Sequence, residues 1–271
     1  MTQRNPEDLY LVPQFSLLRN FGNVYSQVGQ DGILAEIFKR LEVDNGFFVE
    51  FGGWDGVYLS NCRWLFEKGW SGCYIEADTK KFKELEVNYQ KYPNVICINS
   101  FVDYLGSGRE NAKNLRTILA EQLDDSHIES IDFVNIDIDG LDLEVALSIG
   151  FKPKVLLIEG GTDLSPFINE PFPLAHANHQ HPLGYIIKCL REFGYEPVCF
   201  LQDLYAVRND LVARVMPQAK KLTAAELYRH HFYFRGASFR EQIAQLRSGS
   251  LAIKDFELEK LGYFQSMPIN V

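Results

Sequence analysis

Acids and amides recur along the chain where apolar runs end. Glu50 lies near the end of Phe47–Phe51, Glu76 ends 72–76, Asn99 follows Val95–Ile98, Asp137 follows Phe133–Ile136, and Glu159 follows Val155–Ile158. Runs of four or five apolar residues have the length of buried strands, and in open α/β sheets ligands bind beyond the carboxyl ends of such strands. Five polar tips in order therefore converge on one crevice. The first run passes into Gly52-Gly53-Trp54-Asp55-Gly56 and then Ser60-Asn61. A strand, a glycine turn and a helix over 61–68 form the first ligand-binding corner of a doubly wound sheet. A dinucleotide fingerprint needs G-x-G-x-x-G, but Phe51 stands in place of its first glycine and the Glu50 carboxylate would repel a phosphate.

A carboxylate at that corner suits a ligand that carries an ammonium and a sulfonium, as S-adenosylmethionine does. Glu50, Gly52 and Gly56 form E-x-G-x-x-x-G, the shape of a methyltransferase first motif. Glu76 lies about twenty residues beyond Gly56, where a carboxylate in such folds hydrogen-bonds ribose hydroxyls. Methyl transfer is an in-line displacement from an activated sulfonium, so the protein mainly aligns the groups and excludes water. An alcohol acceptor must also lose a proton, which calls for a base or a metal. Asp137, Asp139 and Glu159 offer oxygen ligands that suit Mg²⁺; alternatively Asp137 anchors the cofactor and Asp139 caps the next helix. The loop after Glu159 carries His176, His179 and His181, of which His179 and His181 are taken as proton acceptors beside Asp139 and Glu159. Zinc binding and a merely polar loop are the other readings of these histidines. Trp54 reads equally as a cover over the cofactor and as core filling.

The elements that position these groups follow from periodicity. A helix is predicted over 33–41, others over 80–89, 113–123, 143–149 and 185–193, and late strands over 196–200 and 203–207. Residues 1–24 are irregular, with Pro6 and Pro13 as punctuation, and 160–182 form a long loop of the kind that serves as a lid. Three segments result: a helical lead over 1–45, a cofactor-binding core over 46–210 and a helical appendage over 211–271, with Thr223 and Ser238 as helix caps. The fold class is α/β, a mostly parallel, doubly wound, seven-stranded sheet with helical appendages at both ends.

The formal net charge of -9 over 271 residues argues against a nucleic-acid groove. The five cysteines are odd in number and form no C-x-x-C, which reads as reduced thiols in a cytoplasmic protein. No apolar run reaches membrane-spanning length. His230-His231, in the aromatic stretch 228–234, reads as packing or as a homo-oligomer surface.

With these residues placed, the chain resembles the FkbM-type S-adenosylmethionine-dependent methyltransferases. The matching text is Ser26-Gln27, Gln30-Asp31, Val49 to Gly52, Asp55-Gly56, Leu59-Ser60-Asn61, Gly69 to Gly72, Ile75-Glu76, Ile131 to Phe133 and Ile136 to Gly140. The resemblance spans about residues 25–160 and implies a class I methyltransferase (Rossmann-like) fold and O-methylation of a saccharide or natural-product small molecule. By matching position it implies cofactor contacts from Gln27, Glu50, Gly52, Gly53, Asp55, Gly56, Ser60, Asn61, Glu76, Ala77, Ser100, Phe101 and Asp137. Asp139 stands where the family often has glutamate. Two other classes stay open: a metal-dependent nucleotide-sugar glycosyltransferase, from the D-x-D of Asp137-Ile138-Asp139, and a non-catalytic interaction module on the same fold.

Overall fold

Each apolar run between residues 47 and 159 forms a parallel strand, and its polar end marks one edge of the sheet. In the structure, a computed structural model that describes residues 17–138, 140–160, 165–172, 180–217 and 221–228, these strands are β1 (Phe47–Phe51), β2 (Ser71–Glu76), β3 (Val95–Asn99), β4 (Phe133–Ile136) and β5 (Val155–Glu159). A hairpin of β6 (Tyr195–Phe200) and β7 (Asp203–Arg208) completes a seven-stranded sheet. The order is β3-β2-β1-β4-β5-β7-β6, with β7 antiparallel to both neighbours. From β1 the chain winds outward through β2 and β3, then returns to β4 on the other side of β1. That reversal opens a crevice beyond the carboxyl ends of β1 and β4.

Alternation along the strands supplies both faces with apolar side chains. Phe48, Tyr74, Phe133, Leu157 and Tyr205 face one layer. There they pack with α1 (Gln30–Leu41), α2 (Arg63–Glu67), α3 (Thr79–Tyr89) and α8 (Val212–Val215). Val49, Ile75, Val134, Leu156 and Ala206 face the other layer, against α4 (Leu115–Leu119), α5 (Asp125–Glu129), α6 (Asp142–Leu147) and α7 (Leu183–Glu192). The β1–β4 register sets Glu50 opposite Asn135. A slip of one residue would turn one of the two into the opposite apolar layer and part the pair, so the buried polar pair fixes the register.

Most expected elements form within two or three residues of the predicted bounds; α4 is shorter than expected, and α5 lies in a stretch assigned no element. Helix α1 starts at Gln30, three residues before its first apolar position, because Gln30 and Asp31 are both held by side-chain hydrogen bonds. Residues 224–228 are helical, and Thr223 caps them: its Oγ1 accepts the Glu226 N–H at 3.2 Å while Glu226 Oε2 accepts the Thr223 N–H at 2.9 Å. Ser238 and the 230–234 stretch lie outside the described residues. Among the described residues no helix is long and apolar enough to cross a membrane.

The β1–β4 edges close tightly at Gly52. Its φ is +72°, and a Cβ there would sit 2.0 Å from the carbonyl oxygen of Asp137. Gly52→Ala is expected to lower unfolding stability by about 3 kcal/mol or more, from left-handed strain and a backbone clash. Urea denaturation checks this, and a loss below ~1 kcal/mol would mean the two strand ends are farther apart.

Candidate functional site

Glu50 does not reach into open solvent. Its carboxylate is buried where β1, β4 and the 60–62 turn meet, and it accepts from Ser60 Oγ at 2.5 Å, Asn61 N at 2.8 Å and Asn135 Nδ2 at 2.9 Å. Asn61 Nδ2 donates in turn to Asn135 Oδ1 at 3.2 Å. Burial pushes the Glu50 carboxyl up from 4.5 to about 7, against the pull of donors on Ser60, Asn61 and Cys62, and Asp137 adds to the rise. Ser60 and Asn61 are buried by the same network. Asn135 is a site residue the sequence reading missed; its signal is a polar side chain inside an otherwise apolar central strand.

The glycine turn is pinned from several sides. Trp54 N donates to Glu76 Oε2 at 2.8 Å, and Asp78 N donates to Glu76 Oε1 at 2.7 Å. Each Glu76 oxygen thus has one backbone partner and keeps acceptor capacity for a hydroxyl. Asp55 turns inward on its own loop, where Oδ1 accepts Val57 N at 2.9 Å and Tyr58 N at 2.8 Å. Gly53 packs against Tyr74, and Gly56, at φ +72°, packs against Tyr89 and Leu85. On the β3 side, Ser100 and Phe101 border a cavity of about 330 Å³ shared with Asp103, Arg109 and Lys113. The Arg109 guanidinium lies over the Phe101 ring at 4.8 Å. Ala77 is exposed, its carbonyl accepting Asn99 Nδ2 at 3.3 Å.

Acids gather at the β4, β5 and β7 tips. Carboxylate oxygens of Asp137, Asp142 and Glu159 lie within 4.8 Å of one another. Asp142 is buried and accepts N–H groups from Ile138 and Gly140, both at 2.9 Å. Burial lifts its carboxyl to about 7 despite those donors. Asp203, opposite Glu159 in the β5–β7 register, is also raised, first by burial and then by Asp137. Gln30 reaches across from α1 to donate to Asp203 at 2.6 Å. Next to it, Asp31 Oδ2 gathers the N–H groups of Val24, Tyr25 and Ser26 at 2.7, 2.8 and 3.1 Å. The site therefore extends to Gln30, Asp31, Asp142 and Asp203. Gln27, exposed on the same loop, accepts from Gln202 Nε2 at 3.4 Å.

Of the histidines, His181 is described, and both its ring nitrogens are engaged. Nδ1 accepts the Phe172 N–H at 3.0 Å, so Nε2 carries the hydrogen that meets Glu144 Oε1 at 2.6 Å. The ring fastens the loop after β5 to α6. Asp139, His176 and His179 lie outside the described residues.

A seven-stranded sheet in this order, with β7 reversed and its crevice at the β1–β4 reversal, is the class I (Rossmann-like) methyltransferase fold. No protein-family model matches the chain, and no curated protein does. Among solved structures, the fibrillarin pre-rRNA processing protein of Methanococcus jannaschii aligns at 12% identity over 61% of this chain and 67% of its own, with a TM-score of 0.41. A SAM-dependent methyltransferase from Aquifex aeolicus aligns at 13% identity over 76% and 99%, with a TM-score of 0.38. One from Thiobacillus denitrificans, solved with S-adenosyl-L-homocysteine, aligns at 16% identity over 88% of both chains, with a TM-score of 0.36. The assignment of the fold rests on the strand order.

The raised Glu50 carboxyl makes stability depend on pH. The folded state holds this proton more tightly than the unfolded chain, so the contribution is complete below about 4.5 and is lost as pH rises through about 7. It amounts to roughly 3 kcal/mol. Glu50→Gln removes the titrating group and is expected to flatten the fall in unfolding free energy between pH 5 and pH 7 by up to about one proton. Asp142 and Asp203 titrate in the same sense and remain in the variant. Urea midpoints across that range give the slope; an unchanged slope would show that Glu50 does not take up the proton.

Proposed function

We propose that this chain is an S-adenosylmethionine-dependent O-methyltransferase of the FkbM type, acting on a hydroxyl of a saccharide or natural-product small molecule. The observation that carries the reading is the anionic crevice at the strand reversal: Asp137 stands exposed at the β4 tip with Asp142 and Glu159 close by. Such a floor opposes a diphosphate and complements a ligand bearing an ammonium and a sulfonium. The donor set fits that cofactor, since Glu76 retains acceptor capacity for ribose hydroxyls and the Gly52–Gly53 turn carries no side chain to obstruct the tip.

In this reading Asp137 takes the ammonium group, Glu76 the ribose, and Ser100 and Phe101 the base. When bound, the cofactor supplies a methyl group on a cationic sulfur. The protein's part is alignment: the buried Glu50, Ser60, Asn61 and Asn135 network holds the corner rigid, so an acceptor oxygen can be presented in line. Glu159, with Asp139 and His179, is the proposed proton acceptor, and His181 positions the loop. The Asp137, Asp142 and Glu159 oxygens also fit a hard divalent cation such as Mg²⁺, although Asp142 would have to share oxygens already accepting two N–H groups. The chemistry of a cation there would be polarisation of the acceptor hydroxyl.

Calorimetry with S-adenosylhomocysteine is expected to show one site per chain, weakened about 10- to 100-fold in Glu76→Ala through lost hydroxyl bonds and a loosened Trp54 backbone. Folded protein that binds no adenosylhomocysteine, or that is stabilised by a UDP-sugar with Mn²⁺ instead, refutes the assignment. For the cation, EDTA is expected to abolish methyl transfer and added Mg²⁺ to restore it. Full transfer in EDTA removes the cation from the reaction and leaves the carboxylate or histidine as the base.

A further inference from the structure

Large apolar side chains stand exposed on the loops at the carboxyl edge of the sheet, among them Val24, Trp54, Tyr58, Leu59, Phe101 and Phe167. The group on the β1–α2 loop is the most firmly built. Trp54 is 48% exposed, Tyr58 62% and Leu59 39%, yet their loop has little freedom. Glu76 holds Trp54 N, Asp55 holds the amides of Val57 and Tyr58, Asn88 Nδ2 donates to the Asp55 carbonyl at 2.9 Å, and Tyr89 OH donates to the Gly56 carbonyl at 2.6 Å. Trp54 and Leu59 also adopt left-handed backbone conformations, with φ of +49° and +58°. Side chains other than glycine are strained there, and such strain persists only where the surroundings impose it.

The 22–31 loop meets the start of α2 through Arg63. The Arg63 guanidinium, just beyond Ser60, lies 5.6 Å from the Tyr25 ring, and the neighbouring Val24, 64% exposed, is held outward by its N–H bond to Asp31. Two loops, each fixed by side-chain carboxylates, thus hold apolar groups in solvent next to the crevice.

Charge and polarity decide what would cover them. Asp137, Glu159 and Asp203 gather at the crevice, so an anionic end is repelled there, while the Lys81 ammonium over the Trp54 ring at 4.7 Å disfavours a cationic body on the platform. A bare sugar would stack on Trp54 or Tyr58, but against Val24 and Leu59 its hydroxyls would lose water without gaining partners. An apolar body suits Tyr58 and Leu59 and can lie beside the Trp54 ring and the Lys81 stem. We propose that Trp54, Tyr58 and Leu59 form a preformed platform for the alkyl or aryl body of an uncharged amphipathic acceptor whose hydroxyl end reaches the crevice. The methyl-transfer reading enters only in deciding which end reacts.

The test uses the full chain saturated with S-adenosylhomocysteine and a series of n-alkyl β-glucosides, butyl to octyl, each below its micelle-forming concentration. Binding is read by calorimetry and by tryptophan fluorescence. Affinity is expected to rise about threefold or more for every two methylenes, since each fully buried methylene contributes close to fourfold and an open surface buries only part of each. Leu59→Gly places glycine where the backbone favours it, so the Leu59→Gly/Tyr58→Ser double variant should melt near the parent and keep its adenosylhomocysteine affinity within about twofold while losing the chain-length dependence. Absent glucoside binding, a flat series in the parent, or an unchanged slope in the double variant overturns the proposal. So does a platform that instead captures neutral phosphatidylcholine vesicles or a second copy of the chain with no glucoside dependence. Failure of adenosylhomocysteine to bind while the slope persists in the parent and vanishes in the variant defeats the methyl-transfer reading and leaves the platform standing.

Discussion

The Glu50 carboxylate is held between two neighbouring strands and the turn that follows one of them, and the shape of the crevice depends on it. Its partners come from β4 through Asn135 and from the 60–62 turn through Ser60 and Asn61. If the carboxylate were lost, several buried donors would be left without acceptors, and each such group costs roughly 1–3 kcal/mol. The network therefore ties the glycine turn to the far side of the strand reversal. The acid at this corner thus fixes the backbone that lines the crevice.

A second layer of order comes from outside the parallel strands. Gln30 and Asp31 open α1, and one reaches Asp203 on the last strand while the other gathers the amides of the preceding loop. Burial raises the proton affinity of Asp142 and Asp203, Asp137 adds to the rise at both, and Asp142 adds to it at Asp203. A crevice with such a floor favours positive charge, and favours it more strongly as pH rises and the acids ionise. The same loops turn apolar side chains outward at the rim, so the floor and the rim differ in charge and polarity.

Much of the fold was legible because burial on both faces leaves continuous apolar runs with abrupt polar ends. Phe47–Phe51 and Phe133–Ile136 could be bounded to the residue. Helix α5 was not legible, since five residues with Ile128 as their buried member give no period. Glu50 and Glu76 could be placed at their strand tips, but not their bonds: nothing in the text says that Glu50 turns inward to Asn135 or that Glu76 takes the Trp54 amide. The Gln30–Asp203 bond joins residues 173 apart, and only the closed sheet makes them neighbours. His181 read as a base because imidazole chemistry is visible in a sequence; that the Phe172 amide and Glu144 take both its nitrogens is a property of loop packing. The left-handed backbone at Trp54 and Leu59 is unreadable for the same reason, since neither residue type announces it.

The hairpin at the end of the sheet bears on how the protein is made. In chain order β6 precedes β7, yet β7 is the strand that lies against β5, with β6 outside it. A nascent polypeptide that has exposed residues through Phe200 holds five parallel strands and a sixth with no place to dock, and Gln30 waits for a partner that has not left the ribosome. The arrival of Asp203 to Arg208 seats β6 and closes the last wall in one event. In chain order, then, the strand that seats β6 against the sheet is the last of the seven to be supplied.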